Sequence, residues 1–404
     1  MKSNECQPAG GGRLISSLPT KLKNSKDSPV CALNGGPKEF TAKKPKRQSK
    51  RKRSKNSSNE ENNNNGNKES AEEENDGKKP LTLEPMDVVS STKNKYVVKR
   101  KLGEGGFGAV YEVKAKIKPL NCTTKVFALK TESRKAGSPD RLKIEVAVFT
   151  ALMGCEEKIR ERFAMMIDRG QTPDFYFIIL QLVGPSLQII RDNIIRSEFS
   201  PSTTFKIALE SLESIRILHS EIGYIHRDIK PGNFTVGNKK NYTKIIMIDF
   251  GIARKLLTKD NVLRLPRKEV KFLGTVRFAS RKCHRHEEQG RQGDIESWLY
   301  MICDCFNQAA LPWSRVKEKD LVFALKNDLR ENDGNHKCFS GQLPKEFRDI
   351  MLYNDKLGYE DIPDYELLKS FIEQAANRMK IDLTQEYEWE RLGPIPGHDT
   401  DDET

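Results

Sequence analysis

No apolar run reaches the roughly eighteen residues that a membrane-spanning helix needs, and the N-terminus lacks a secretory apolar stretch. Both absences predict a soluble, intracellular protein in the cytoplasm, the nucleus or both, with no membrane partner. The eight cysteines include no CxxC pair, and Cys303-Asp304-Cys305 is too tight for two ligands of one zinc. This excludes the usual zinc ribbons and predicts reduced thiols. Aromatic and branched residues are scarce before residue 92, so that stretch cannot bury enough apolar surface to offset its ordering entropy.

Charge is abundant instead: 70 Lys and Arg stand against 57 Asp and Glu, a formal net charge of +13 over 404 residues. Acidic partners are expected. Residues 1–92 read as a disordered, basic and polar tail. Lys43-Lys44-Pro45-Lys46-Arg47 and Lys50-Arg51-Lys52-Arg53 form its basic cluster. Such a cluster serves as a nuclear import signal or a nucleic-acid tether, or else is a solvated charge run that keeps the tail extended. An asparagine run, Asn62 to Asn65, and acidic Glu72-Glu73-Glu74 follow. The tail has no interleaved aromatics for base stacking, so any nucleic-acid binding should be weak, salt-sensitive and non-specific.

The chain is organised around His226-Arg227-Asp228-Ile229-Lys230-Pro231-Gly232-Asn233-Phe234, with Asp249-Phe250-Gly251 after it. Asp228 can accept a hydroxyl proton, and Lys230 can lie beside that hydroxyl and a moving phosphoryl group. Asn233 and Asp249 can hold metal ions on nucleotide phosphates. These parts suit phosphoryl transfer to an alcohol. A lone His-Arg-Asp would pass for a solvated turn; the whole string with Asp-Phe-Gly does not.

Upstream, Leu102-Gly103-Glu104-Gly105-Gly106-Phe107-Gly108-Ala109-Val110 carries G-x-G-x-x-G. That spacing is shared with dinucleotide folds, whose glycines open a helix. Here Tyr96 to Lys101 and Ala109 to Lys116 read as strands, so the glycines cap a hairpin and let backbone lie over phosphates. Val110 is placed against the base. Val126-Phe127-Ala128-Leu129-Lys130 reads as a strand presenting a phosphate-binding lysine. Arg141 to Phe149 reads as a helix with Leu142, Val146 and Phe149 on one face and Glu145 as partner for Lys130. Alone, Lys130 could be a strand-end lysine in water and Glu145 an exposed charge; the context joins them. Phe175 to Val183 is a strand leading to a connector. Leu180 is placed at the back of a nucleotide pocket that includes Ala128, with backbone of Gln181, Leu182 and Val183 on the adenine edge. Ser200-Pro201 starts a long helix, and Asp294 begins another.

With these motifs in place, residues from about Tyr96 to Trp389 resemble the casein kinase I superfamily of protein kinases, in particular its tau–tubulin kinase-like branch. The motifs that carry this are Gly274-Thr275-Val276-Arg277-Phe278-Ala279-Ser280, Gln181-Leu182, Leu311-Pro312-Trp313, Pro363-Asp364-Tyr365 and Tyr387-Glu388-Trp389. Ser280-Arg281-Lys282 stands where most protein kinases have Ala-Pro-Glu, and Glu388 where the family has Asp. Gly232 replaces a Ser or Asp, and Thr235 a Leu or Ala under the base. Cys283-His284-Arg285-His286 reads as a basic surface loop rather than a zinc site. The resemblance implies an α+β, bilobal fold: an antiparallel sheet with one main helix in a small lobe (about 93–182) and a mostly helical large lobe (about 185–390). Residues 391–404 remain as a short acidic tail. It also implies a monomeric serine/threonine kinase using ATP and Mg2+ on protein substrates. Arg277, with Arg227, is expected to bind an acidic or phosphorylated group of the substrate, with no activating phosphorylation of the enzyme's own loop. The alternative is a pseudokinase scaffold, though such proteins usually lose one of Lys130, Asp228, Asn233 or Asp249, and all four are present.

Overall fold

The computed structural model describes residues 82–392 apart from 106–107, 121, 123, 135–139, 239–240, 259, 261 and 332–337. The tail's basic cluster, asparagine run and acidic block, Gly106 and Phe107 of the glycine loop, and most of the C-terminal acidic residues therefore lie outside the described residues.

The small lobe is a six-stranded antiparallel sheet of order β1-β2-β3-β4-β6-β5. Its strands are β1 (Val88–Ser90), β2 (Lys95–Gly105), β3 (Gly108–Ala115), β4 (Val126–Ser133), β5 (Met166–Gln171) and β6 (Phe175–Gln181). Strand β1 lies before the expected boundary at residue 92. It pairs with β2 from Val88 opposite Val97 to Ser90 opposite Lys95, and Val89 is buried. One buried valine in a polar neighbourhood left no period for the sequence to show. In β3, Ala109, Tyr111, Val113 and Ala115 alternate inward, as period-two strands require. Strand β4 is buried on both faces. Phe127 and Leu129 join the sheet's own core, while Val126 and Ala128 point the other way and cluster with Leu182, Val110 and Leu180.

Helix α1 (Arg141–Leu152) packs beside this sheet; its buried face carries Leu142, Glu145, Val148, Phe149 and Leu152. Val148 rather than Val146 completes the apolar stripe, since Val146 is only partly buried. A short helix, α2 (Glu157–Arg160), leads into β5.

The large lobe opens with α3 (Leu187–Ile189), which runs on as a π-turn through Ile195. Helix α4 (Pro201–Ser220) starts as expected: Ser200 Oγ accepts the Thr203 N–H at 3.3 Å, and Pro201 occupies the first turn. Three short strand pieces follow, β7 (Tyr224–Ile225), β8 (Phe234–Val236) and β9 (Ile245–Met247), then β10 (Arg254–Lys255). Strands β8 and β9 pair, as do β7 and β10. Helix α5 (Arg281–His284) precedes α6 (Arg291–Phe306), which is buried on every side except at its last residue. A helix enclosed all round belongs at the centre of a domain. Helices α7 (Lys319–Glu331), α8 (Lys345–Asn354) and α9 (Tyr365–Arg378) complete the lobe. Trp298, Trp313 and Trp389 are its largest fully buried side chains.

The Cys283–His286 stretch is corrected by the structure. Cys283 and His284 are buried in and beside α5, with the His284 ring stacked on Phe323 at 5.5 Å. Only Arg285 and His286, in the turn after the helix, keep an exposed or partly exposed position. Among the described residues, no cluster of three or more His, Cys, Asp or Glu could hold a metal.

Candidate active site

The catalytic loop is fixed from below by α6. Asp294, fully enclosed, accepts the backbone N–H groups of His226 at 2.6 Å and Arg227 at 2.8 Å, and its Oδ2 also meets His219 Nε2 at 2.9 Å. Burial would raise the Asp294 carboxyl, but His219 and the backbone donors outweigh it and hold it below its usual range. Arg227 and Asp249 adopt positive φ, 69° and 64°, a conformation disfavoured for side-chain-bearing residues. At Gly274 φ is 118°, and an added Cβ would sit 2.8 Å from the Arg227 carbonyl, so this close approach requires glycine.

Around Asp228 the polar groups converge. Its Oδ1 accepts the Thr275 hydroxyl at 2.8 Å, and its Oδ2 meets Lys230 Nζ at 2.7 Å. Lys230 also donates to Thr275 Oγ1 at 2.9 Å. The Asn233 amide nitrogen donates to the Asp228 carbonyl at 2.8 Å and to Asp228 Oδ2 at 3.2 Å, which fixes the orientation of the amide. Thr275 is a site residue that its motif placed nearby without giving it a role. Its hydroxyl bridges Asp228 and Lys230.

Lys130 Nζ lies 2.6 Å from Glu145 Oε1 and 2.9 Å from Asp249 Oδ1. Burial would lower the Lys130 ammonium, but Glu145 and Asp249 outweigh it and hold it above its usual range. Burial pushes the Glu145 carboxyl up to about 7 despite Lys130. Lys130 outweighs burial at Asp249 and holds that carboxyl well below the carboxylate range. Phe250 is fully buried against Phe149 (5.6 Å), His226 (5.4 Å) and Phe163 (6.1 Å), which seats Asp249 facing the cleft. Glu132, not singled out by any motif, is the helix's anchor. Its carboxylate accepts the N–H groups of Arg141 at 2.9 Å and Leu142 at 3.0 Å, capping α1 from the strand that bears Lys130.

A cleft of about 190 Å³ is lined by Asp228, Lys230, Asp249, Gly251 and Thr275. The residues expected to line a nucleotide pocket sit on the small-lobe strands and just after β6. Val110, Ala128, Leu180 and Leu182 form one apolar cluster with Val126. The Gln181 N–H is taken by the Met165 carbonyl at 2.8 Å, and the Leu182 carbonyl accepts Asn238 Nδ2 at 3.2 Å. Thr235 is buried and its hydroxyl donates to the Ile246 carbonyl at 3.3 Å, so its polarity is absorbed by β9. Gly103, Glu104 and Gly105 pair with Val110, Ala109 and Gly108, so the glycines do cap a hairpin. A Cβ on Gly108 would strike the Thr131 carbonyl at 1.8 Å. Leu102 stands at the rim, partly exposed.

Hard oxygen donors at Asn233 and Asp249 suit a divalent cation that takes its other ligands from phosphates and water. Arg277 is placed differently from a free anion fork. Its guanidinium pairs with buried Asp304, which also pairs with Arg191 at 2.6 Å, and its carbonyl accepts Trp313 Nε1 at 2.9 Å. Arg227 donates Nε to the Ile252 carbonyl at 2.7 Å.

The model of the protein kinase domain matches residues 96–355. A Caenorhabditis elegans protein named as a putative serine/threonine-protein kinase is 33% identical over 277 residues, covering 68% of this chain and 82% of the relative. The serine/threonine-protein kinase spe-6 of the same organism is 29% identical, covering 74% of this chain and 76% of the relative. Casein kinase I homolog 3 of Schizosaccharomyces pombe is 32% identical, covering 74% and 65%. Relatives named as serine/threonine kinases support that activity, and with it the general use of ATP and a divalent metal. With Asp228 and Asp249 lining one cleft, Lys130 joined to Glu145 and Asp249, and Asn233 joined to Asp228, the chain belongs to the protein kinase domain family.

Proposed function

We propose that this chain is a casein kinase I-like serine/threonine kinase of the tau–tubulin type. It transfers the γ-phosphoryl group of ATP, with Mg2+, to acidic or phosphate-primed proteins without activating phosphorylation of its own loop. The observation that carries the chemistry is Asp228, flanked by Lys230 and Thr275 and facing the Lys130–Asp249 pair across one cleft. Asp228 orients the substrate hydroxyl and accepts its proton. Lys230 stabilises charge on the transferred group. Lys130, held by Glu145, positions the nucleotide's inner phosphates. Magnesium on Asn233 and Asp249 would neutralise phosphate charge during transfer. Most of the acceleration is positioning and electrostatics.

Support for acidic substrates is electrostatic. Arg141, Arg227, Arg254, Arg264 and Arg267 line a second cleft, of about 580 Å³, beside the catalytic one. Arg277 adds positive charge close to Thr275, although an incoming phosphate must compete with Asp304 for its fork. The test compares a primed or acidic peptide with its neutral counterpart, using wild type and Arg277→Ala at low and moderate salt. The acidic peptide should be favoured through lower KM, and the preference should shrink with salt and in the variant. Equal use of both peptides by the wild type discards the anion preference and leaves the kinase assignment standing.

A further inference from the structure

Two arginines of the second cleft converge on one buried carboxylate. Glu288, in the loop between α5 and α6, has a side chain only 2% exposed. Its Oε2 receives Arg254 Nη2 at 3.0 Å and Arg267 Nε at 2.5 Å, and its Oε1 receives Arg267 Nη2 at 3.0 Å. The Arg267 pair is a two-point fork, the geometry that gives a guanidinium–carboxylate contact both strength and direction.

The three groups come from separate parts of the chain. Arg254 lies opposite Ile225 in the β10–β7 pair, directly before His226-Arg227-Asp228. Arg267 lies within the segment that runs from Asp-Phe-Gly to Thr275. Glu288 precedes the helix that carries Asp294. A second tie acts nearby, where the Tyr359 hydroxyl donates to the Arg264 carbonyl at 2.8 Å. Arg227 stands in the same cleft. Burial, with Arg267 and Arg254 adding to it, pushes its guanidinium down to about 10, and Glu288 opposes this. Positive charge is therefore crowded here, and Glu288 supplies an anion that the arginines share.

Kinase activation segments are commonly ordered when a phosphate added to the segment recruits arginines. We infer that Glu288 is a positioning residue that takes the place of such a phosphate: its carboxylate gathers Arg254 and Arg267 and holds the segment leading to Thr275 in the substrate-accepting arrangement. This rests on the reading that the loop needs no activating phosphorylation, and it names the residue responsible.

The experiment uses the full chain, treated with phosphatase and then freed of it, as wild type, Glu288→Ala and Glu288→Gln. Peptide kcat/KM, KM for ATP and trypsin cleavage between Arg254 and Lys271 are measured with and without sulfate, at ionic strength held constant with chloride. Glu288→Ala should lose about tenfold or more in peptide kcat/KM while KM for ATP stays within about twofold. Its segment should be cut faster. Sulfate should restore activity several-fold and slow the cutting, because it refills the site the carboxylate left. Glu288→Gln keeps the shape without the charge and should also be impaired. If Glu288→Ala does not fold, Glu288→Gln decides alone: activity and cleavage equal to wild type overturn the inference. Loss in Glu288→Ala that sulfate does not relieve, with Glu288→Gln like wild type, also overturns it. Wild type that is inactive after phosphatase treatment instead removes the phosphorylation-independent reading itself.

Discussion

Glu132 is named by no motif, yet the helix that carries Glu145 starts on it. Its carboxylate caps α1 with two charge-assisted hydrogen bonds, and Glu145 stands one turn further along that helix. Replacing Glu132 with alanine leaves the first N–H groups of α1 without this partner, a loss of about 1–3 kcal/mol. The helix end should loosen, and Glu145 with it. Glu132→Ala should therefore raise KM for ATP and lower kcat, with a smaller loss in Glu132→Gln, which still offers one acceptor. Steady-state kinetics in ATP at fixed peptide would show it; unchanged constants in Glu132→Ala would remove Glu132 from the positioning of Glu145. Lys130 and Asp249 work the other way, as one assembly joined at 2.9 Å. Each alanine variant should lose roughly 10²–10³-fold in kcat. The double variant should lose little more than the worse single one, because the second change removes a partner already idle. Additive losses would mean that the two residues act independently. The sequence named both residues, Lys130 as the partner of Glu145 and Asp249 as a metal holder, but not their contact with each other, which only the fold brings about. Glu132 was not named, because a carboxylate two residues past a lysine carries no signal until a helix end is brought against it.

At the level of elements, the legible parts were those with a period or a cap: the hairpin about the glycines, β4, β6, and the Ser200-capped α4. Helix α7 shows what was missed. Lys326, in the middle of it, belongs to no motif of the sequence, and it is fully buried. Its Nζ donates to the carbonyls of Val276 at 2.9 Å and Ala279 at 2.6 Å, fixing the loop that holds Arg277, and it meets His284 Nε2 at 3.2 Å. The rings of Tyr300 and Trp313 lie 5.0 and 5.4 Å from it. Burial pushes this ammonium down to about 7; Glu296 and Cys283 oppose the shift, and Arg330 adds to it. His284, pushed down to about 4 by burial and by Lys326, is an unprotonated acceptor. Between about pH 7 and the ordinary lysine value of about 10.5, the unfolded chain binds the proton that the folded chain has lost. Stability contributed by this site should thus rise with pH across that window, by an amount on the order of a few kcal/mol. Below pH 7 both states hold the proton and the full burial cost remains. Denaturant unfolding of wild type and Lys326→Met at pH 7 and pH 9.5 should show a larger rise for wild type. Parallel changes in the two proteins would mean that Lys326 does not titrate in this range.

For the whole molecule, charge is unevenly spread. Residues 1–81 hold 18 Lys and Arg against 10 Asp and Glu, so +8 of the +13 lies in that stretch. No motif there offers stacking aromatics, and the family match begins only at residue 96. That charge is expected to attract polyanions without sequence preference. Each basic residue that neutralises a phosphate releases about 0.9 of a condensed counterion on duplex DNA, so affinity falls steeply with salt. The full chain should bind unrelated duplexes about equally at low salt and lose that binding toward physiological salt. Replacing Lys50-Arg51-Lys52-Arg53 with alanines removes four positive charges. The slope of log K against log salt should shrink by up to about 3–4 in that variant, while peptide kcat/KM at the kinase site stays unchanged. An unchanged slope would place the four residues outside the polyanion contact. The same variant, tagged and followed in cells, separates the import reading from the solvated-charge reading: a shift toward the cytoplasm is the mark of an import signal. An unaltered distribution together with the reduced salt slope would leave the cluster as a polyanion tether, acting on where phosphoryl transfer happens rather than on its chemistry.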